Sequence, residues 1–127
     1  MLIFVLLFFL SDNNDIEFTF SGNISPFSAK VNNYLFRIIQ EALSNAVKHS
    51  NADTINLHLI QNNENLILIA EDNGSGFNFY DKSYSMGNGL FNMQERVRLL
   101  NGNFDIETSK NTGTTIRIKI PLNNNND

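Results

Sequence analysis

Three polar residues in the run from 37 to 49 have the types and the spacing to take part in phosphoryl or metal chemistry. Glu41, Asn45 and Lys48 lie three or four residues apart, so a helical rotation of about 100° per residue brings them onto one flank. A carboxylate, an amide oxygen and an ammonium group could act there as a general base, a metal ligand and a phosphate contact. The simpler interpretation is a solvated flank with contacts worth about 0.2–0.5 kcal/mol, and the helix alone favours it.

A second group of candidates follows the most apolar strand that the sequence predicts. Asp72, Gly74 and Gly76 stand in the segment EDNGSGF at 71–77. A carboxylate at a strand end can accept a hydrogen bond from an exocyclic amine, and the glycines let the backbone pass close to a flat ring or a phosphate. An ordinary Asp-Asn-Gly turn is the simpler interpretation, and this segment alone favours it.

Further candidates surround a second predicted helix. Gly87 and Gly89 precede its start near Leu90, and unpaired N–H groups at a helix N-terminus make a natural phosphate seat. A single G-x-G pattern is weak and also fits a flexible hinge. Residues 78–86 form a short polar connection that could act as a mobile lid. Thr114, where a late strand begins, carries a hydroxyl that could help to hold a base or a water.

The elements that must position these residues predict an α+β two-layer sandwich. Apolar residues of helical period predict one helix from Val31 to about His49 and another from about Leu90 to Asn101, ended by Gly102. The nearly unbroken apolar run at 66–70 predicts a central strand that is covered on both faces or nearly so. Alternating patterns predict four more strands, around Phe18, Leu57, Phe104 and Ile118. The sheet should be mixed and mainly antiparallel, with the helices on one face.

Composition narrows the class of protein. A chain of 127 residues suits one domain with an apolar core, and the absence of cysteine excludes disulfides and thiolate metal sites. Two histidines are too few for a His-rich zinc site, and a net charge of −4 argues against a nucleic-acid partner. The ten apolar residues at 1–10 are too few to span a bilayer and lack the flanks of a signal peptide.

The same patterns suggest how the chain is divided. We expect residues 1–14 to be the apolar stub of an upstream helix followed by a linker. Residues 15–122 would form the single domain, and the asparagine-rich tail at 123–127 would be disordered.

Taken together and in this order, the motifs resemble those of the ATP-binding catalytic domain of sensor histidine kinases. They are Glu-x-x-x-Asn-x-x-Lys-His from Glu41, Asp-x-Gly-x-Gly from Asp72, Gly-x-Gly-Leu-x-x-Met-x-Glu-Arg from Gly87, and Gly-Thr at Gly113. That family shares the Bergerat-type (GHKL) fold with Hsp90, MutL and gyrase ATPases, and the resemblance covers residues 16–122. Segments 41–52 and 89–97 look like the subfamily partnered with NarL/LuxR-type response regulators.

The resemblance implies ATP and Mg²⁺ as cofactors and gives each candidate a role. Asn45 would ligate Mg²⁺ through its amide oxygen, which suits a hard cation. Glu41 would act as the base or orienting group for the nucleophile, and Asp72 would accept the adenine amino hydrogen. The other implied nucleotide contacts are Lys48 and His49 at the phosphates, Gly74, Gly76 and Thr114 at the base, and Gly87, Gly89 and Leu90 at the lid hinge and the phosphates.

The two histidines keep competing assignments. The helical angle of His49 lies inside the apolar stripe, so a packed and hydrogen-bonded side chain is an alternative to a phosphate contact. His58 falls on the polar phase of its strand and is most simply a surface residue. Neither has the setting of a phosphoacceptor.

The chain departs from the family because no dimerising hairpin with an acceptor histidine precedes this domain. We therefore expect it to bind Mg·ATP without autophosphorylating on the usual histidine. The favoured interpretation is the cytoplasmic, phosphoryl-donating part of a two-component kinase whose parent can be membrane-anchored. Its partners would be the phosphoacceptor domain of that parent and, indirectly, a NarL/LuxR-type regulator, with no nucleic acid. The alternatives are a nucleotide-dependent binding module and an anti-sigma-type serine kinase.

Overall fold

A computed structural model describes residues 15–22, 28–45, 54–75, 89–108 and 113–122, the first of these by backbone alone. Neither of the two helices in these ranges is long and apolar enough to cross a membrane. The expectations for residues 1–14, for the lid at 78–86 and for the tail at 123–127 lie outside the described residues. The elements in chain order are β1 (Asp15–Gly22), α1 (Ala29–Ser44), β2 (Thr54–Gln61), β3 (Asn65–Asp72), α2 (Gly89–Leu99), β4 (Asn103–Thr108) and β5 (Thr114–Pro121).

The five strands form one sheet in the order β1-β2-β3-β5-β4. β1 and β2 are parallel, while the β2–β3, β3–β5 and β4–β5 pairs are antiparallel. The predicted mixed, mainly antiparallel sheet is therefore confirmed, and the apolar strand β3 is central as expected. Because β1 and β2 are parallel, the chain must return along the sheet between them, and α1 is that crossover.

The crossover brings the end of α1 to the end of the sheet where β2 begins. At 1.5 Å per residue the 16 residues of α1 are about 24 Å long, close to the length of an eight-residue strand. Six residues separate β1 from α1, and nine residues separate the end of α1 at Ser44 from the start of β2 at Thr54. Asp72, the last residue of β3, lies one residue from Thr54 in the sheet register because it pairs with Ile55.

One face of the sheet is buried beneath the helices. In β2, β3 and β5 every second residue is buried, and each such Leu or Ile side chain contributes about 1.5–3 kcal/mol. The two faces of β3 differ in coverage, because Ile67 and Ile69 are partly exposed among the described residues while Leu66 and Leu68 are buried. The core strand and helix residues are Val31, Leu35, Ile38, Ile39, Leu43, Ile55, Leu57, Leu59, Leu66, Leu68, Met93, Val97, Leu100, Ile116, Ile118 and Ile120.

Helix α1 begins and packs as its period predicts. The Ser28 hydroxyl caps it by accepting a 3.2 Å hydrogen bond from the Val31 N–H, which satisfies one of the free donors of the first turn. Asn45 keeps helical backbone angles of −62° and −44°. The predicted end of this helix near His49 lies outside the described residues.

Helix α2 ends earlier than predicted and through a different residue. It stops at Leu99, and Asn101, with φ of 58°, takes the left-handed position that ends the helix, whereas Gly102 was the predicted terminator. The N–H of Gly102 donates to Val97 O and that of Asn101 to Arg98 O, both at 2.9 Å, which is a Schellman motif. Gly102 has another purpose, because a Cβ there would lie 2.7 Å from the carbonyl oxygen of Lys119.

Candidate active site

A row of four residues crosses the sheet at the end where β3 stops. Asp72 lies opposite Ile55 on one side and Thr114 on the other, and Thr114 in turn lies opposite Thr108 of β4. Directly paired residues of antiparallel strands present their side chains to the same face. These four share the phase of the buried residues of each strand, so Asp72 and Thr114 are neighbours on the helix-covered face.

The Asp72 carboxylate is partly withdrawn from water but is held by backbone donors. Its Oδ1 accepts a 2.9 Å hydrogen bond from the N–H of Gly74, so Gly74 closes the predicted turn. Burial raises the pKa of Asp72 above its ordinary value of 3.8, and the N–H groups of Gly74 and Thr114 oppose that rise. A partly desolvated carboxylate of this kind is a strong acceptor for an N–H donor of a ligand.

Gly113 allows β5 to start close against the end of β3. Its φ of 82° lies in the left-handed region, and a Cβ there would overlap the carbonyl oxygen of Asp72. Thr114 follows with 6% of its surface exposed. Its Oγ1 lies 2.8 Å from Oγ1 of Thr108, a residue that the sequence analysis did not select. The sequence could have indicated Thr108, because it is a polar residue that follows Phe104 and Ile106 on the core-facing phase of β4.

A second part of the site forms where the start of α2 meets α1. A Cβ at Gly89 would lie 2.6 Å from Oε2 of Glu41 and 3.7 Å from Oδ1 of Asn45. The first residue of α2 therefore lies against both side chains, and only glycine leaves them undisturbed. Leu90 follows half-buried. Of the polar flank of α1, Asn45 is thus buried and Glu41 is half-buried, while Lys48 lies outside the described residues.

Asn45 is a buried polar residue at the end of α1. Only 7% of it is exposed, and its Nδ2 has no hydrogen-bond partner in the part of the chain that the structure describes. A buried N–H group without an acceptor costs about 1–3 kcal/mol, so this nitrogen does not stabilise the fold through the described residues. Hard cations select amide and carboxylate oxygens, and the N–H groups at the start of a helix attract anions.

Four of the predicted site residues cannot be compared with the structure. Lys48, His49, Gly76 and Gly87 lie outside the described residues, and their assignments stay predictions. His58 is half-buried on the sheet face opposite α1 and α2.

Comparison with known proteins agrees with this geometry. Residues 30–124 match the family described as histidine kinase-, DNA gyrase B-, and HSP90-like ATPase. Sensor protein VraS of Staphylococcus haemolyticus is 39% identical over 97 residues, which cover 76% of this chain and 28% of VraS. The oxygen sensor histidine kinase NreB of Staphylococcus carnosus is 34% identical over 112 residues, or 87% of this chain and 32% of NreB.

A solved structure supports the fold independently. The histidine kinase domain of the blue-light activated kinase from Erythrobacter litoralis EL346 superposes with a TM-score of 0.74 at 20% identity. That alignment covers 95% of this chain and 58% of the other.

The fold and the site together define an ATPase-type catalytic domain of the kind that sensor histidine kinases carry. The chain belongs to the histidine kinase-, DNA gyrase B-, and HSP90-like ATPase family. The family and fold class inferred from the motifs are confirmed. The chain spans about three tenths of the length of the two sensor kinases named above.

The raised pKa of Asp72 leads to a pH prediction. If the ionised Asp72 carboxylate accepts the adenine amine, as the family resemblance implies, ATP affinity should fall by up to tenfold per pH unit as the pH drops through a pKa above 3.8. The stability of the free protein should show the opposite trend. A raised carboxyl pKa favours folding below 3.8, and that contribution is lost as the pH rises through the raised value.

Calorimetric titration with ATP from pH 7 downwards measures this effect. The Asp72→Asn variant is the control, because titration of the adenine ring and the phosphates is common to both proteins. Parallel pH profiles for the two proteins would contradict the assignment of Asp72 to the base.

Proposed function

We propose that this chain is the ATP-binding, phosphoryl-donating domain of a two-component sensor histidine kinase. It would transfer the γ-phosphoryl group of Mg·ATP to a histidine on a dimerisation hairpin. The observation that supports this most is the approach of Gly89, at the start of α2, to Glu41 and Asn45. Positioning and charge stabilisation dominate phosphoryl transfer, and this arrangement offers both.

The donor set fits a magnesium ion. Asn45 Oδ1 would hold Mg²⁺, and the closeness of this oxygen to the start of α2, 3.7 Å from a Cβ placed at Gly89, supports the assignment. Magnesium, when bound, neutralises charge on the phosphates. Lys48 and His49 would contact phosphate oxygens, and Gly76 and Gly87 would shape the base wall and the lid hinge.

The chain's own groups then orient the reactants. The N–H groups that open α2 at Gly89 and Leu90 would hold phosphate oxygens, as the positive end of a helix favours. Asp72 would accept from the adenine amine, and Thr114 would support the same edge. Glu41 would accept the proton of the attacking nucleophile or orient it.

The partners belong to the same proposal. The acceptor would be the dimerisation hairpin of a parent kinase in the cytoplasm, and the phosphoryl group would pass on to a response regulator. The Gly-Leu-x-x-Met-x-Glu-Arg motif, which begins at Gly89, favours a regulator of the NarL/LuxR type.

Phosphoryl transfer tests this proposal. The full chain is incubated with γ-labelled Mg·ATP and the separately made hairpin of a candidate parent kinase. We expect acid-labile phosphate on the hairpin. Glu41→Gln should slow transfer by about 100-fold, because general base catalysis typically supplies about 10²–10⁴, while ATP affinity changes less than about threefold.

Each contrary outcome identifies a different function. Acid-stable phosphate on a protein serine would favour the serine kinase of the same superfamily. Normal ATP binding with no transfer to any hairpin would favour a nucleotide-dependent binding module. Transfer at an unchanged rate by Glu41→Gln would remove Glu41 from the chemistry.

A further inference from the structure

The hydroxyl of Thr108 contacts Thr114 and Gly113 at the edge of the row formed by Ile55, Asp72, Thr114 and Thr108. Thr108 is the last residue of β4 and lies directly opposite Thr114. Its Oγ1 lies 2.8 Å from Oγ1 of Thr114 and 3.3 Å from the carbonyl oxygen of Gly113. The second contact includes the residue whose left-handed conformation lets β5 approach Asp72.

The direction of these two bonds follows from their chemistry. A carbonyl oxygen can only accept, so the hydroxyl hydrogen of Thr108 is donated to Gly113 O. A hydroxyl has a single hydrogen, so the bond between the two threonines must then use that of Thr114. Thr114 consequently has only lone pairs left for a ligand. Without Thr108, its hydroxyl could rotate and act either as donor or as acceptor.

We propose that Thr108 is a positioning residue that selects a 6-amino purine over a 6-oxo purine by fixing the Thr114 hydroxyl as an acceptor. This inference rests on the proposed ATP site. The row then presents two acceptors side by side, the Asp72 carboxylate and the Thr114 hydroxyl. An exocyclic amine has two hydrogens to donate, directly or through a water, whereas the 6-oxo group of inosine or guanosine nucleotides brings a further acceptor.

Base selectivity tests the role of Thr108. The dissociation constants of Mg·ATP and Mg·ITP are measured by calorimetry for the full chain and for Thr108→Val, Thr108→Ser and Thr115→Val. We expect the unaltered chain to bind Mg·ATP at least about tenfold more tightly than Mg·ITP. Thr108→Val should reduce this ratio of the two dissociation constants by about fivefold, which corresponds to the loss of one hydrogen bond. Thr108→Ser should restore the preference, because serine keeps the hydroxyl.

Thr115→Val is the matched control, since Thr115 is the next residue of β5 and lies on the opposite face, between Glu71 and Glu107. It should leave the ratio unchanged. An unchanged ratio in Thr108→Val, or equal losses of ATP and ITP affinity in both Thr108 variants, would overturn the inference. If Thr108→Val does not fold, Thr108→Ala takes its place.

Failure of the proposed function gives a separate result. If the unaltered chain binds neither nucleotide, the ATP site itself is wrong and the role of Thr108 is rejected with it. If the unaltered chain binds ATP and ITP equally well, the ATP site stands and only the selection by Thr108 fails.

Discussion

Asn45→Leu is expected to abolish the Mg²⁺ dependence of nucleotide binding while leaving the fold at least as stable as before. Changes to groups that merely orient metal ligands already cost about 10–100-fold in metal affinity, so loss of a direct ligand should weaken Mg·ATP binding by about 100-fold or more. Leucine has the same number and branching of side-chain heavy atoms as asparagine and removes a buried amide nitrogen that has no partner among the described residues. We therefore expect unfolding free energy to stay level or to rise by up to about 1 kcal/mol.

Gln61→Leu is the matched control for this prediction. Gln61 is 6% exposed, and its Oε1 has no hydrogen-bond partner within the described ranges. It ends β2, whereas the candidate site lies where β2 begins. Thermal unfolding should respond similarly in both variants, but Gln61→Leu should keep its full affinity for Mg·ATP. A magnesium-dependent affinity that survives in Asn45→Leu would show that Asn45 is not the ligand.

A large loss of ATP affinity is also expected when Asp72, the proposed contact to the adenine base, is changed. Asp72→Asn should weaken ATP binding by about 30-fold or more, because a hydrogen bond to a charged group is worth about 1.5–3 kcal/mol and the new amide also presents a donor to the adenine amine. Stability should not suffer at neutral pH. Burial raises the pKa of Asp72, so the ionised side chain is a cost to the folded state that asparagine removes.

Glu71→Gln provides the comparison for Asp72→Asn. Glu71 is the preceding residue of β3 and is exposed on the other face of the sheet. The same carboxylate-to-amide change there should alter ATP affinity by less than about threefold, since surface charges contribute little. Calorimetric titration of both variants measures the difference. Equal effects at the two positions would mean that net charge, and not a contact with the base, controls binding.

The local elements could be read from the sequence because burial in this domain follows simple periods. In β2 and β5, buried and more exposed residues alternate along the sequence, as the predicted strand pattern requires. The apolar stripe predicted for α1 matches the residues that are buried in the structure. The partial exposure of Ile67 and Ile69 could not be read in this way. A continuous apolar run fits a strand with two covered faces, and the number of helix layers is decided by the whole fold.

In the candidate site, too, local features could be predicted from the sequence, whereas contacts between distant segments could not. Asp72 and Gly74 form a local turn, which the segment itself encodes. The contact of Glu41 and Asn45 with the start of α2 could not be predicted from the helix alone. Gly89 lies more than 40 residues further along the sequence and reaches them only because α2 packs on α1. The sequence did not indicate Thr108, because its role depends on its hydrogen bond to Thr114 of the neighbouring strand β5. It also did not indicate which residue takes the left-handed turn after α2, because both Asn101 and Gly102 are of types that accept that conformation.

We have proposed that Glu41, Asn45 and the start of α2 form a Mg·ATP site. Titration of the full chain with ATP, in excess Mg²⁺ and again in excess chelator, tests it most directly. We predict saturable binding below about 1 mM that magnesium tightens by at least about tenfold, and no such tightening in Asn45→Leu. The absence of saturable binding at millimolar Mg·ATP, or equal affinity with and without the ion, would contradict the account.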